Sequence, residues 1–199
     1  MSIRSFAASR AAEWFTGPSR QAALQARAER RRRVRGERHV IEFFHEAGDP
    51  LSHLAAVGLK AIAQRYDVAI TPYLVDAPEP WAVPEPHLHA PWARTDAKRL
   101  AARAGIAFAP DAAPSPERVA QAEAVLTGAL ADGAAFLDAA VEIGALLWAG
   151  KALPEAAVDA AAVAAAKAAG SARRSESGHF LGGAYAYAGE WFLGLDRLH

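Results

Sequence analysis

The chain has 199 residues, no cysteine, and 22 basic against 22 acidic side chains, and 52% of its residues are apolar. That length suits one large domain, or a core carrying an insertion, and that apolar share excludes global disorder. Without cysteine there are no disulfides, no thiolate-held metals or iron–sulfur clusters, and no disulfide exchange by the protein's own thiols.

Charge is balanced overall but not along the chain. Residues 1–38 hold ten arginines and three glutamates, a formal +7, which leaves −7 for the remainder. Ser2–Phe15 reads as a short helix closed by Gly17-Pro18. Gln21 to about Val34 reads as a second, with Ser19 as its N-cap and Arg30–Arg33 in its last turns. Arginines there complement the negative end of the helix dipole. The run is either a contact for an anion, a membrane or a nucleic acid, or a solvated helix end.

His39–His45 (HVIEFFH) is β-branched and aromatic, as a central strand should be. Glu46–Pro50 is a turn, and apolar residues then recur at helical spacing from Pro50 to Tyr66. Asp49 is placed to cap that helix, with Pro50 at its first position. Val68–Val75 is a second strand, so the three elements make a βαβ unit with a parallel strand pair.

Residues 72–91 hold six of the twelve prolines and read as an extended loop. Helical patterning follows over Trp92–Ala104, Pro116–Leu130, Ala134–Ala149 and Pro154–Ala169, with Gly105, Gly133, Gly150 and Gly170 at the expected ends. Ala184–Ala188 alternates small and aromatic residues, Gly189-Glu190 turns, and Trp191–Leu193 returns, which predicts a hairpin. Gly194–His199 reads as the opening of a final helix that stops early, as in a cut chain or the front part of a longer one.

Strand–helix–strand, helical insertion, hairpin and helix start is a thioredoxin-like order. The expected fold class is α/β: a thioredoxin-like core with an inserted all-helical domain and an N-terminal helical arm. The arm is 1–38, the core 39–91 and 171–199, and the insertion 92–170.

The stretch Phe43–Ala55 (FFHEAGDPLSHLA) resembles the first strand and active-site turn of the DsbA-like family. The nearest branch is the 2-hydroxychromene-2-carboxylate isomerases and kappa-class glutathione transferases, where a Ser-Pro-Tyr-Ser turn replaces Cys-x-x-Cys. Gly189–Leu198 (GEWFLGLDRL) is similar to that branch's ending, and Asp96–Ala101 with Gly105 to its first insertion helix. The resemblance covers roughly 39–199. It implies a bound glutathione whose thiolate attacks a small aromatic or hydrophobic electrophile. A thiol with a pKa near 8.5 needs a hydroxyl donor and a helix N-terminus to ionise at neutral pH. On this reading Ser52 and Asp49 occupy the catalytic turn. Gly183, Ala184, Asp196, Arg197 and His53 are the cofactor-binding positions, with Asp196 on the γ-glutamyl amine.

The chain departs from that pattern in three places. Asp49 stands where the branch has its first serine, and two like charges 4 Å apart at an effective dielectric of 20 cost about 4 kcal/mol. The helix terminus returns at most about 2 kcal/mol, so repulsion wins unless Asp49 is protonated or turned to cap its own helix. Ser52, three residues on, is the remaining donor. Gly183 stands where the branch has a cis-proline, and a trans bond is expected there. The 76–91 loop offers His87 and His89, with Arg94 just beyond, instead of asparagine or lysine for the glycyl carboxylate.

His45, His53, His87, His89 and His179, with Glu46 or Asp49, also raise the question of a metal. No histidine pair has the i, i+4 spacing of a zincin helix, so none is assigned. No apolar run reaches the roughly 18 residues of a transmembrane helix, and the start lacks a secretory pattern. The expectation is a cytoplasmic protein with no membrane or specific nucleic-acid partner, as a homodimer or as one domain of a longer chain. Two functions from different classes stand: a glutathione-dependent isomerase or transferase, and a catalytically degenerate binding or structural module.

Overall fold

The computed structural model describes residues 17–108, 110–156 and 159–198. The expected helix at Ser2–Phe15 lies outside them. The chain divides into two units, residues 1–39 and 40–199.

The described part of the first unit is helix α1 (Pro18–Arg35). It starts earlier than expected, with Gly17 at the N-cap and Pro18 in the first turn, so Ser19 lies inside the helix. Proline is favoured there because that N–H has no helical partner in any case. Glu29 takes Arg32 at 2.8 Å and Arg33 at 2.6 Å, and these bonds hold its carboxyl well below the usual carboxylate range.

The second unit is built on strands β1 (His39–His45), β2 (Val68–Leu74), β3 (Ala184–Tyr187) and β4 (Glu190–Leu193), in sheet order β2-β1-β3-β4. β3 runs antiparallel to β1, with Phe43 opposite Tyr185 and Phe44 opposite Ala184, and antiparallel to β4. The hairpin turn places Ala188 and Gly189 at φ 53° and 85°, the left-handed pair that a two-residue connection needs.

Alternation along β1 sends Phe43 and His45 to one face and Phe44 to the other. Helix α2 (Pro50–Arg65) and helix α5 (Gly133–Trp148) cover the first face. There Phe43 stacks on Tyr185 and meets Phe136 edge-on. On the second face Phe44 stacks on Tyr73 and packs against Trp191. Helix α6 (Ala160–Glu176) lies along β2 and ties in through Arg173, which gives Glu42 two bonds of 2.7 and 2.8 Å.

Four helices separate β2 from β3: α3 (Pro86–Ala104), α4 (Pro116–Ala129), α5 and α6. α5 and α6 both pack on β2, so their residues share the core with the sheet. Two boundaries differ from expectation. α3 begins six residues early and contains Pro91, which removes only the bond to the His87 carbonyl in a first turn already opened by Pro86. The boundary expected at 91/92 thus falls inside a helix.

α6 begins at an Asp159 cap and runs through Gly170 to Glu176. Gly170 is a packing residue: a Cβ there would stand 1.9 Å from the Leu74 carbonyl oxygen. Residues 171–176, expected in the sheet portion, are therefore helical. The last element is a short 3₁₀ turn at Leu195–Arg197. Among the described residues no helix is long and apolar enough to cross a membrane.

Candidate functional site

The first turn of α2 is built by its cap. Asp49 accepts from the backbone N–H of Leu51 at 3.1 Å and of Ser52 at 2.9 Å. Pro50 follows at the first helical position. The turn faces a cavity of about 850 Å³. Its polar wall includes Glu46, Asp49, His89, Arg94, Asp196 and Arg197. Leu51, Trp92, Leu100, Trp148 and Leu193 contribute apolar wall. The indole N–H of Trp148 is buried and has no hydrogen-bond partner, which leaves a donor for a ligand acceptor.

Glu46 and Asp49 give this wall its electrostatics. Burial, then the nearby Asp49 charge, pushes the Glu46 carboxyl well above the ordinary carboxylate range. Burial raises Asp49 too, but the two backbone donors and His89 pull it back. The pair thus separates into a carboxyl that keeps its proton at neutral pH and one that ionises more readily.

Four of the expected site residues meet here: Asp49, Gly183, Asp196 and Arg197 all line the cavity. Three do not. Ser52 is fully buried; its Oγ accepts from the Glu46 N–H at 3.0 Å and lies 3.0 Å from His45 Nδ1. Burial holds His45 neutral, with a pKa of about 3, so the hydroxyl and ring share one proton in a sealed contact beneath the helix. The hydroxyl expected to serve a thiolate is therefore turned inward.

His53 is likewise buried. A Cβ on Gly144 would stand 2.1 Å from its Nδ1, and Phe108 covers the ring at 4.7 Å. Burial lowers its pKa to about 4. Ala184 is a fully buried strand residue between Phe44 and Leu193.

Gly183 has φ 66°, and a Cβ would meet Ser52 Cα at 3.0 Å, so glycine is needed for conformation and for space. Its N–H donates to the Phe44 carbonyl at 2.8 Å and its carbonyl accepts from Gly194 at 3.0 Å. Both backbone groups are thus used within the sheet region, and no peptide bond among the described residues is cis.

From the sequence Glu46 is a candidate only as a metal ligand, and Trp148, by its helical spacing, is either core or the wall of a hydrophobic pocket; both line this cavity. Glu46 carries one signal, its position directly after a strand and before a helix cap. For Trp148 the sequence leaves core and pocket wall open, and the structure places it on the wall. His179 lies apart, stacked on Trp191 at 4.5 Å. No group of three or more histidine or acidic residues able to hold a metal occurs among the described residues.

No protein-family model matches the chain, and no curated protein matches it. A solved structure does: the selenomethionine form of a 2-hydroxychromene-2-carboxylate isomerase. The TM-score is 0.50 at 20% identity, over 80% of this chain and 90% of that one. At this identity the likeness is one of fold, and the fold is thioredoxin-like.

Proposed function

We propose that the protein is an isomerase- or transferase-type enzyme for a small, largely apolar conjugated molecule, with its reaction centre in the cavity over the first turn of α2. One observation carries this reading. Asp49, Gly183, Asp196 and Arg197, from three separate stretches of chain, line one cavity at a helix N-terminus. Clefts of a few hundred Å³ with a small polar end are the usual form of a substrate site.

Glutathione suits this site only in part. The volume of about 850 Å³ and the Asp196-Arg197 pair are in its favour. Against it, the backbone of Gly183 is spent on Phe44 and Gly194, and the Ser52 hydroxyl is sealed under the helix. Neither the cysteinyl pairing nor the serine donor is on offer, so the chemistry rests on the chain's own carboxyls.

Ionised Asp49 accepts a proton from one position of a conjugated substrate, and neutral Glu46 donates one to another. The substrate loses one proton and gains one, which is an isomerisation. The two carboxyls then return to their starting states by exchange with each other or with solvent. Arg197 and the Trp148 N–H, which line the same cavity, hold an acceptor group of the substrate meanwhile.

The test follows conversion of 2-hydroxychromene-2-carboxylate by the full chain, with and without glutathione, beside calorimetric titration of each compound. Conversion without glutathione, reduced about 100-fold or more in Glu46→Gln, is the expected result. Conversion that requires glutathione overturns the carboxyl mechanism and restores a borrowed thiol. A flat calorimetric trace and no conversion overturn the assignment of the site. A second reading, binding without chemistry, is favoured by the engagement of both Asp49 oxygens in capping; saturable heat without conversion would select it.

A further inference from the structure

A second, narrower cavity of about 410 Å³ adjoins the same chain segment. Ala77 and Pro78 line the wide cavity, whereas Asp76, Glu79 and Trp81 line the narrow one, opposite Ser171 and Arg174 of α6 and His179-Phe180. Arg174 is only 4% exposed. Its Nη1 donates to the Asp76 backbone carbonyl at 3.1 Å, and its Nε has no hydrogen-bond partner. Among the described residues no carboxylate forms an ion pair with it. The Asp76 carboxylate is instead held by Lys167 at 3.1 Å and by the Ser171 hydroxyl at 3.1 Å.

A guanidinium stays charged at any physiological pH. The carboxyls of Glu46, Asp76 and Glu79 act on Arg174 from a distance, but none of them takes its buried Nε–H, and a buried donor left unpaired is disfavoured. Arg173, its neighbour on α6, is held by Glu42, whereas Arg174 lines the cavity. The rest of that cavity narrows the chemistry of what would complete it. Trp81 and Phe180 are 69% and 37% exposed, with ring centroids 4.9 Å apart, and His179 stacks on Phe180. These offer flat apolar surface. The carboxylates of Asp76 and Glu79 on the wall disfavour a doubly charged ligand such as a phosphate monoester. A guanidinium edge matches a planar carboxylate.

We infer that the narrow cavity is a second ligand site, for a singly charged aromatic carboxylate whose anionic end meets Arg174 and whose ring lies against Trp81 and Phe180. The site is separate from the helix-tip reaction centre and does not depend on that assignment.

The test is a titration of the full-length chain with sodium benzoate, followed through the guanidinium Nε–H resonance of Arg174 in nitrogen-15 NMR. Benzamide and sodium chloride serve as the uncharged and the merely anionic probes. Benzoate should shift the Arg174 resonance saturably, with a half-point on the order of 1 mM for a ligand of this size, and the other two probes should leave it in place. Trp81→Ala, an exposed change that leaves the fold intact, should weaken benzoate several-fold. An Arg174 resonance that stays fixed overturns the site. So does an equal response to chloride or benzamide. So does a benzoate response confined to the Trp148 indole N–H, which would place the ligand in the wide cavity instead.

Discussion

The two cavities differ in the polar group each leaves incompletely satisfied. The wide one has two half-buried carboxyls, Glu46 and Asp49, with no ion-pair partner among the described residues, and the narrow one has a buried guanidinium whose Nε has no hydrogen-bond partner. Elsewhere in the same unit Arg173 pairs with Glu42, Lys167 with Glu123 and Lys60 with Asp138. Each cavity wall thus carries polar groups whose bonding the fold leaves incomplete. A fold keeps such groups part-satisfied only where the surrounding packing is rigid. Here that rigidity comes from glycines that let helix and strand touch: Gly170 against Leu74 behind the narrow cavity, and Gly183 against Ser52 behind the wide one.

The largest expected effect breaks one side of this comparison. Gly170→Ala forces a Cβ against a carbonyl oxygen, and urea denaturation should show a loss of about 3 kcal/mol. A loss below half of that would mean α6 lifts easily from β2 and does not brace the narrow cavity.

The next effect is a pH dependence that sharpens the other side. His45 and His53 are neutral in the fold. Their contribution is complete above the ordinary histidine value of 6.5 and is lost as pH falls toward the folded values of about 3 and 4. Glu46 and Asp49 act in reverse. Their folded values are raised, so their contribution is complete below the ordinary carboxylate range and is lost as pH rises through those raised values. Between about pH 5 and 6.5 the two pairs largely offset, and wild-type stability should be nearly level. In the double variant Glu46→Gln, Asp49→Asn the histidines act unopposed. The slope should then approach two protons, about 2.7 kcal/mol per pH unit. A double variant as level as wild type would show that the carboxyls are not raised.

Asp49 also separates capping from charge. Asp49→Ala should cost about 1 kcal/mol through the lost bonds to Leu51 and Ser52, and Asp49→Asn clearly less, by the same denaturation assay. The smallest effect is a control on the cavity wall. Gly48→Ala meets only Val119 at 3.5 Å and should change stability by less than about 0.5 kcal/mol.

Much of the fold was legible along the chain, and the reasons are local. β1 was read with its full extent because a β-branched and aromatic run suits no other element. The Asp49-Pro50 start of α2 and the Ser115-Pro116 start of α4 were legible because a cap and a first-turn proline act within four residues. Glycine misled at position 170, where a stop signal and a packing contact look alike until the partner strand is known. Prolines misled at 86–91, where a helix start resembled a loop.

At the site, Asp49, Gly183, Asp196 and Arg197 were legible through resemblance, and the structure gathers them around one cavity. The inward turn of Ser52 was not legible. Its direction is set by His45 and the Glu46 N–H, which helical spacing does not report.

The sequence by itself determined that any sulfur chemistry must use a foreign thiol, that a βαβ start and a closing hairpin frame a helical stretch, and that Asp49 opens α2. Those follow from composition and from forces acting over a few residues. Tertiary structure alone decided which polar groups are sealed, which face a hollow, and which buried donors lack a partner. Burial and electrostatic pairing arise between residues distant in the chain, and Arg174, anonymous in an alanine-rich helix, acquires meaning only from what surrounds it.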